Sequence, residues 1–132
     1  MSEVRVSIER EADIVLARQA GRQLAAQLGF TTTDQTLIAT AISEVARNIV
    51  VYAQHGEIVL TRADENGRIG IQVIALDRGP GIDNKELAMR DGYSTKNSLG
   101  LGLPGARRLM DDFLLDSEIG RGTTVTMRKW KR

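Results

Sequence analysis

Two hairpin signals, one in mid-chain and one near the end, constrain this sequence more than any other feature. Ile58-Val59-Leu60 and the run Ile69 to Leu76 flank Asp64-Glu65-Asn66-Gly67, whose Asn and Gly tolerate a left-handed backbone. Phe113 to Glu118 and Thr123 to Trp130 flank Ile119-Gly120-Arg121-Gly122 in the same way. Strands joined by turns this short pair antiparallel. A parallel dinucleotide-binding sheet needs strand and helix to alternate throughout, and the two hairpins argue against it.

The remaining periodicities fill in the order. Val4 to Ile8 alternates with period two and reads as an opening strand. Ala12 to Leu28 carries Ile14, Val15, Ala17, Ala20, Leu24, Ala25 and Leu28 at helical spacing and ends at Gly29. Thr33 or Asp34 can cap a second helix, with Leu37, Ile38, Ala41, Ile42, Val45, Ala46 and Ile49 as its stripe, running to about Ala53. Asp83 to Leu99 is polar and loop-like, with room for a helical turn or two over Lys85 to Arg90. Leu103 to Asp112 predicts a third helix, with Pro104 tolerated in its first turn. The order is β-α-α-β-β-loop-α-β-β. It predicts an α+β fold, a two-layer α/β sandwich whose mixed, mostly antiparallel sheet carries helices on one face. The length predicts one domain over residues 1–132.

Composition removes several function classes. There is no cysteine and only one histidine, His55, so zinc and iron–sulfur sites are effectively excluded. The absence of cysteine suits a reducing cytoplasm. A net charge of +1 gives no case for a nucleic-acid or membrane surface. Arg128, Lys129, Lys131 and Arg132 make the last stretch basic, which reads as a solvated end. No stretch approaches a membrane-spanning length, and Met1 to Arg10 lacks the apolar run of a signal peptide. His55, in a Gly-bounded turn after a helix, reads as a surface residue.

Three strings carry chemistry. Glu44, Arg47 and Asn48 lie at i, i+3 and i+4 on the second helix and share a face that adjoins its apolar stripe. The Asn48 carboxamide oxygen can ligate Mg²⁺, which takes only one or two protein oxygens beside phosphate, and Glu44 can accept a hydroxyl proton. The plain alternative is a solvated helix with a Glu–Arg pair. Asp77 ends the central strand and is followed by Gly79 and Gly81. Its carboxylate can accept from an exocyclic amine such as adenine N6, while glycine lets backbone pass against a flat base. The alternative is an ordinary strand-end turn.

The third string, Gly100-Leu101-Gly102-Leu103-Pro104-Gly105, opens the third helix, whose N-terminal N–H groups suit a phosphate. No Gly-Lys-Ser/Thr follows, so this is not a Walker A loop, and a hinge before a helix would look the same. Lys96, in the polar loop, can meet a terminal phosphate. Thr124 can face adenine, or be one of the threonines that strands favour.

In this order the strings resemble the ATP-binding superfamily of gyrase, Hsp90, sensor histidine kinases and MutL, the GHKL or Bergerat fold, over almost the whole chain. The resemblance implies ATP held between helices and a lid. It implies that Asn48 ligates Mg²⁺ and that Asp77 bonds adenine. It further implies that Gly79 and Gly81 shape the base pocket, that Gly102 and Gly105 hold phosphates within the run containing Gly100 and Leu103, and that Thr124 lies near adenine.

Short length and the strings Ala17-Arg18-Gln19, Gly21-Arg22, Thr40 to Asn48 and Arg108-Leu109-Met110-Asp111 are most similar to the RsbT-type serine/threonine switch kinases of the bacterial stressosome. That branch implies phosphorylation of STAS-domain partners and activation of a PP2C-type phosphatase by released kinase. The neighbouring branch, kinases that sequester a sigma factor, often has Ala after the Mg²⁺ asparagine. Here Ile49 follows.

Overall fold

The computed structural model describes residues 3–79 and 102–132. β1 (Val4–Ile8), α1 (Glu11–Gln27), α2 (Thr32–Tyr52), β2 (Gly56–Glu65), β3 (Arg68–Asp77), α3 (Gly102–Leu109), β4 (Asp112–Glu118) and β5 (Gly122–Trp130) follow in that order. The possible helical turn over Lys85 to Arg90 lies outside the described residues.

Each helix boundary has a local cause. Asp13 Oδ2 accepts from the Glu9 and Arg10 amides at 2.9 and 3.1 Å and so caps the start of α1. Gly29, with φ +91°, ends it, and Phe30 N–H returns to Ala25 O at 3.0 Å. The second cap is Thr31, whose Oγ1 accepts from Asp34 N at 3.1 Å, rather than Thr33 or Asp34. Any of the three consecutive threonines has the right chemistry. Burial of Phe30 fixes where the chain turns in, and the first threonine takes the role.

The sheet order is β1-β2-β3-β5-β4, and every described pair is antiparallel, so no parallel pairing makes it mixed. The first hairpin turns on Asn66 and Gly67, at φ +52° and +77°, as a two-residue loop of that twist requires. β2 runs through Glu65, well past Leu60, because pairing with β3 satisfies the backbone of its polar half. α3 stops three residues before the expected Asp112. Asp111 N–H instead donates to Arg128 O at 2.9 Å, and Asp112 already belongs to β4.

The helices cover one face of the sheet. Ile58, Leu60, Ile71, Val73, Val125 and Met127 point into a single core with Ile14, Ile38, Ile42 and Leu103. α1 and α2 meet closely at Gly21, where a Cβ would collide with the Ile42 side chain. Val15, expected in the α1 stripe, is exposed together with Leu16. The basic end is only partly solvated: Lys129 is buried in β5, and Arg128 Nε donates to Gln72 Oε1 at 2.8 Å. Among the described residues no helix is long and apolar enough to cross a membrane.

Candidate functional site

α2 reaches two other parts of the chain. Its Glu44 is buried, and Oε1 accepts from Gly102 N–H, the first residue of α3, at 3.0 Å. The other oxygen faces Arg47 Nη1 at 3.6 Å, so the Glu–Arg pair exists, although the carboxylate is not solvated. Asn48, one turn further, is partly buried. Ala53, the C-cap of α2, lies against Gly79, where a Cβ would stand 2.6 Å from the Ala53 Cβ. Only glycine lets the chain leaving β3 pass this close.

Asp77 sits at that β3 end. Its Oδ1 accepts from Gly79 N–H at 2.8 Å. Burial raises its pKa above the ordinary 3.8, against the lowering effect of the Gly79 and Thr123 amides and the nearby His55. His55 itself is exposed, as expected. Register decides which threonine shares this site. Asp77 pairs with Thr123, and Leu76 with Thr124. Directly opposed residues share a sheet face, so Thr124 projects to the other side from Asp77 and Thr123 takes its place beside the carboxylate. The Thr123 hydroxyl meets Ser117 Oγ at 2.8 Å and is buried. A shift of one residue along a strand inverts its faces, and the sequence gives no marker between two adjacent threonines.

α3 meets α2 through its first backbone amide. Gly102 has φ +69°, a left-handed value that glycine adopts without strain. The Leu103 side chain is buried in the core beside Ala106, so toward a ligand this residue offers only its main chain. Gly105 is buried as well. Gly81, Lys96 and Gly100 lie outside the described residues.

The donor set fits a nucleotide and its metal: a partly buried carboxamide, a carboxylate held by backbone amides at a strand end, and a glycine-led helix start. The chain belongs to the histidine kinase-like ATPase domain family. The family model matches residues 8–129. The chain is 51% identical to serine/threonine-protein kinase RsbT of Bacillus subtilis (strain 168) over 96% of both chains. It is 32% identical to an anti-sigma F factor of Clostridium beijerinckii, over 98% of this chain and 96% of the relative.

Solved structures share the family fold. The RsbU and RsbW domains of Rv1364c from Mycobacterium tuberculosis superpose with TM-score 0.67 at 21% identity, over all of this chain and 33% of that longer one. The mycobacterial sensor histidine kinase MprB gives TM-score 0.59 at 13% identity, over 99% of each chain. The family fold and the RsbT likeness therefore stand, and with them the enzyme class: an ATP-using serine/threonine protein kinase.

Proposed function

We propose that the chain transfers the γ-phosphoryl group of Mg²⁺-ATP to a serine or threonine of a STAS-domain partner in the cytoplasm. Once released, it would activate a PP2C-type phosphatase. The observation that carries the kinase reading is the pairing of Glu44 with Gly102, because it brings a candidate base to the candidate phosphate end. In-line phosphoryl transfer depends mostly on positioning and charge neutralisation.

Asp77 selects adenine by accepting from its exocyclic amine, and Gly79 keeps the approach open. Asn48 holds Mg²⁺, which supplies charge neutralisation at the phosphates. The main chain at Leu103 and Gly105, with Gly100 and Lys96, binds phosphate oxygens beside Gly102, whose own N–H is held by Glu44. Glu44 accepts the proton of the incoming hydroxyl; an ionised carboxylate has about four acceptor sites, and capping α3 uses one. Thr123, through its amide and its position, holds the Asp77 carboxylate in place, while Thr124 lies beyond it on the other face.

Incubation with labelled Mg²⁺-ATP and candidate STAS-domain proteins, followed by mapping of phosphoserine and phosphothreonine, tests the reading. Failure to label any of them while ATP is bound would leave ATP as a regulatory ligand and reject the kinase substrate. The likeness to anti-sigma F factors favours one second reading, a kinase that sequesters a sigma factor. Capture of a sigma factor in preference to STAS and phosphatase partners would select it.

A further inference from the structure

Among the described residues two ionisable side chains are buried, Glu44 at 7% exposure and Lys129 at 8%. They bond to opposite ends of the same helix. Glu44 Oε1 accepts from Gly102 N–H, at the first residue of α3, and Lys129 Nζ donates to the carbonyl of Leu109, its last, at 2.9 Å. An acid at the N-terminus and a cation at the C-terminus is the arrangement the helix dipole favours. A helix of 8 residues does not hold its shape unaided, so its placement is set by what it packs on and by these two contacts.

Lys129 stands where the strand pattern calls for an apolar side chain. Val125, Met127 and Lys129 alternate along the helix-facing side of β5 and are all buried. A charged side chain among buried apolar neighbours is unfavourable unless it is bonded, whereas an apolar chain of like size needs no partner there. The bond to Leu109 is what the lysine adds. The chain just beyond it is fixed too, with Trp130 N–H on Asp111 Oδ2 at 2.8 Å and the indole N–H on Asp112 Oδ2 at 2.9 Å. The carboxyl end of α3 is thus anchored to the sheet, and its Gly102 end is held by the Glu44 side chain.

We propose that Lys129 is a positioning residue for the phosphate end of the nucleotide site. By fixing the Leu109 carbonyl it sets where the Gly102 amide stands against Glu44. It acts through α3 and touches no substrate. The inference rests on the ATP reading above.

The test uses the full chain and measures ATP affinity, kcat and KM for ATP, thermal unfolding, and the Gly102 amide resonance. Lys129→Met removes the donor at similar volume, and Lys129→Arg keeps a cationic donor. Met127→Ala, the preceding inward position of β5, lowers stability through a cavity while leaving both α3 bonds in place. Lys129→Met is expected to weaken ATP binding about five- to tenfold, the scale of one hydrogen bond, and to shift the Gly102 resonance. Lys129→Arg is expected within about twofold of the parent. Met127→Ala should lower the unfolding temperature with ATP affinity unchanged. Parental affinity in Lys129→Met, or a profile matching Met127→Ala, overturns the proposal. If Lys129→Met does not fold, Lys129→Gln decides by the same criteria, since its amide is a weaker donor on a shorter side chain. A parent chain that binds no ATP would sink the nucleotide reading itself; a parent that binds while the variants match it sinks only the role of Lys129.

Discussion

Glu44 and Gly102, 58 positions apart, are joined by one hydrogen bond of 3.0 Å between a buried carboxylate and the first amide of α3. This bond gives Glu44 two separable duties, one structural and one chemical. Glutamine keeps an acceptor oxygen but is no base. Glu44→Gln should therefore unfold near the parent temperature and bind ATP normally, while transfer slows by about 10²- to 10⁴-fold. Glu44→Ala should in addition lose about 1 kcal/mol of stability with the cap. Single-turnover labelling and thermal melts check both; parental turnover in Glu44→Gln would remove the residue from the chemistry.

Asn48 sits one turn along and is partly buried. Asn48→Ala should keep the melting curve and lose Mg²⁺-dependent transfer. Chelation of divalent metal should abolish transfer by the parent chain without unfolding it. Titration of Mg²⁺ into parent and variant with ATP present, followed by calorimetry, reads the difference directly; equal Mg²⁺ dependence would place the metal elsewhere.

Asp77 ties stability to pH. Burial raises its pKa in the folded chain above 3.8, so the folded state holds this proton more tightly than the unfolded one. Its contribution to stability is present in full below 3.8 and is lost as pH rises through the folded value. Adenine binding has the opposite dependence, because the protonated carboxyl is the poorer acceptor. Asp77→Asn should flatten this part of the stability profile and weaken ATP binding by about 10- to 100-fold, the loss of a hydrogen bond to a charged group. Affinity and melting temperature followed from pH 7 downward test both signs.

Gly79→Ala should destabilise the fold by about 1–3 kcal/mol, because the new methyl would overlap Ala53 at the end of α2. That overlap involves the Ala53 main chain as well as its side chain, so no rotamer change relieves it. Urea unfolding of the variant measures the loss. Gly67→Ala provides the contrast: its Cβ meets nothing within 4 Å, and only the strain of φ +77° is paid.

Much of the fold was legible because it rests on local pattern. The stripes of α1 and α2, the Asn66-Gly67 turn and the alternation in β5 each follow from a few neighbouring residues, and the hairpins they form exclude a parallel sheet. The errors fall where a decision was made elsewhere in the chain. Thr31 rather than Thr33 caps α2 because Phe30 is buried. Val15 turns outward because α1 has one neighbour-facing side and Ala17, Gly21 and Leu24 fill it. Lys129 enters the interior because a helix end needs a donor there.

The sequence by itself determined the elements, the two antiparallel hairpins and the kinds of group available to a nucleotide, since period, turn chemistry and side-chain type are properties of short stretches. Only the tertiary structure decided which groups meet. Thr123 instead of Thr124 stands across from Asp77 because strand register assigns faces. Glu44 and Lys129 secure the two ends of α3 because packing brings residues far apart in the chain within reach of one short helix, and no local pattern encodes that distance.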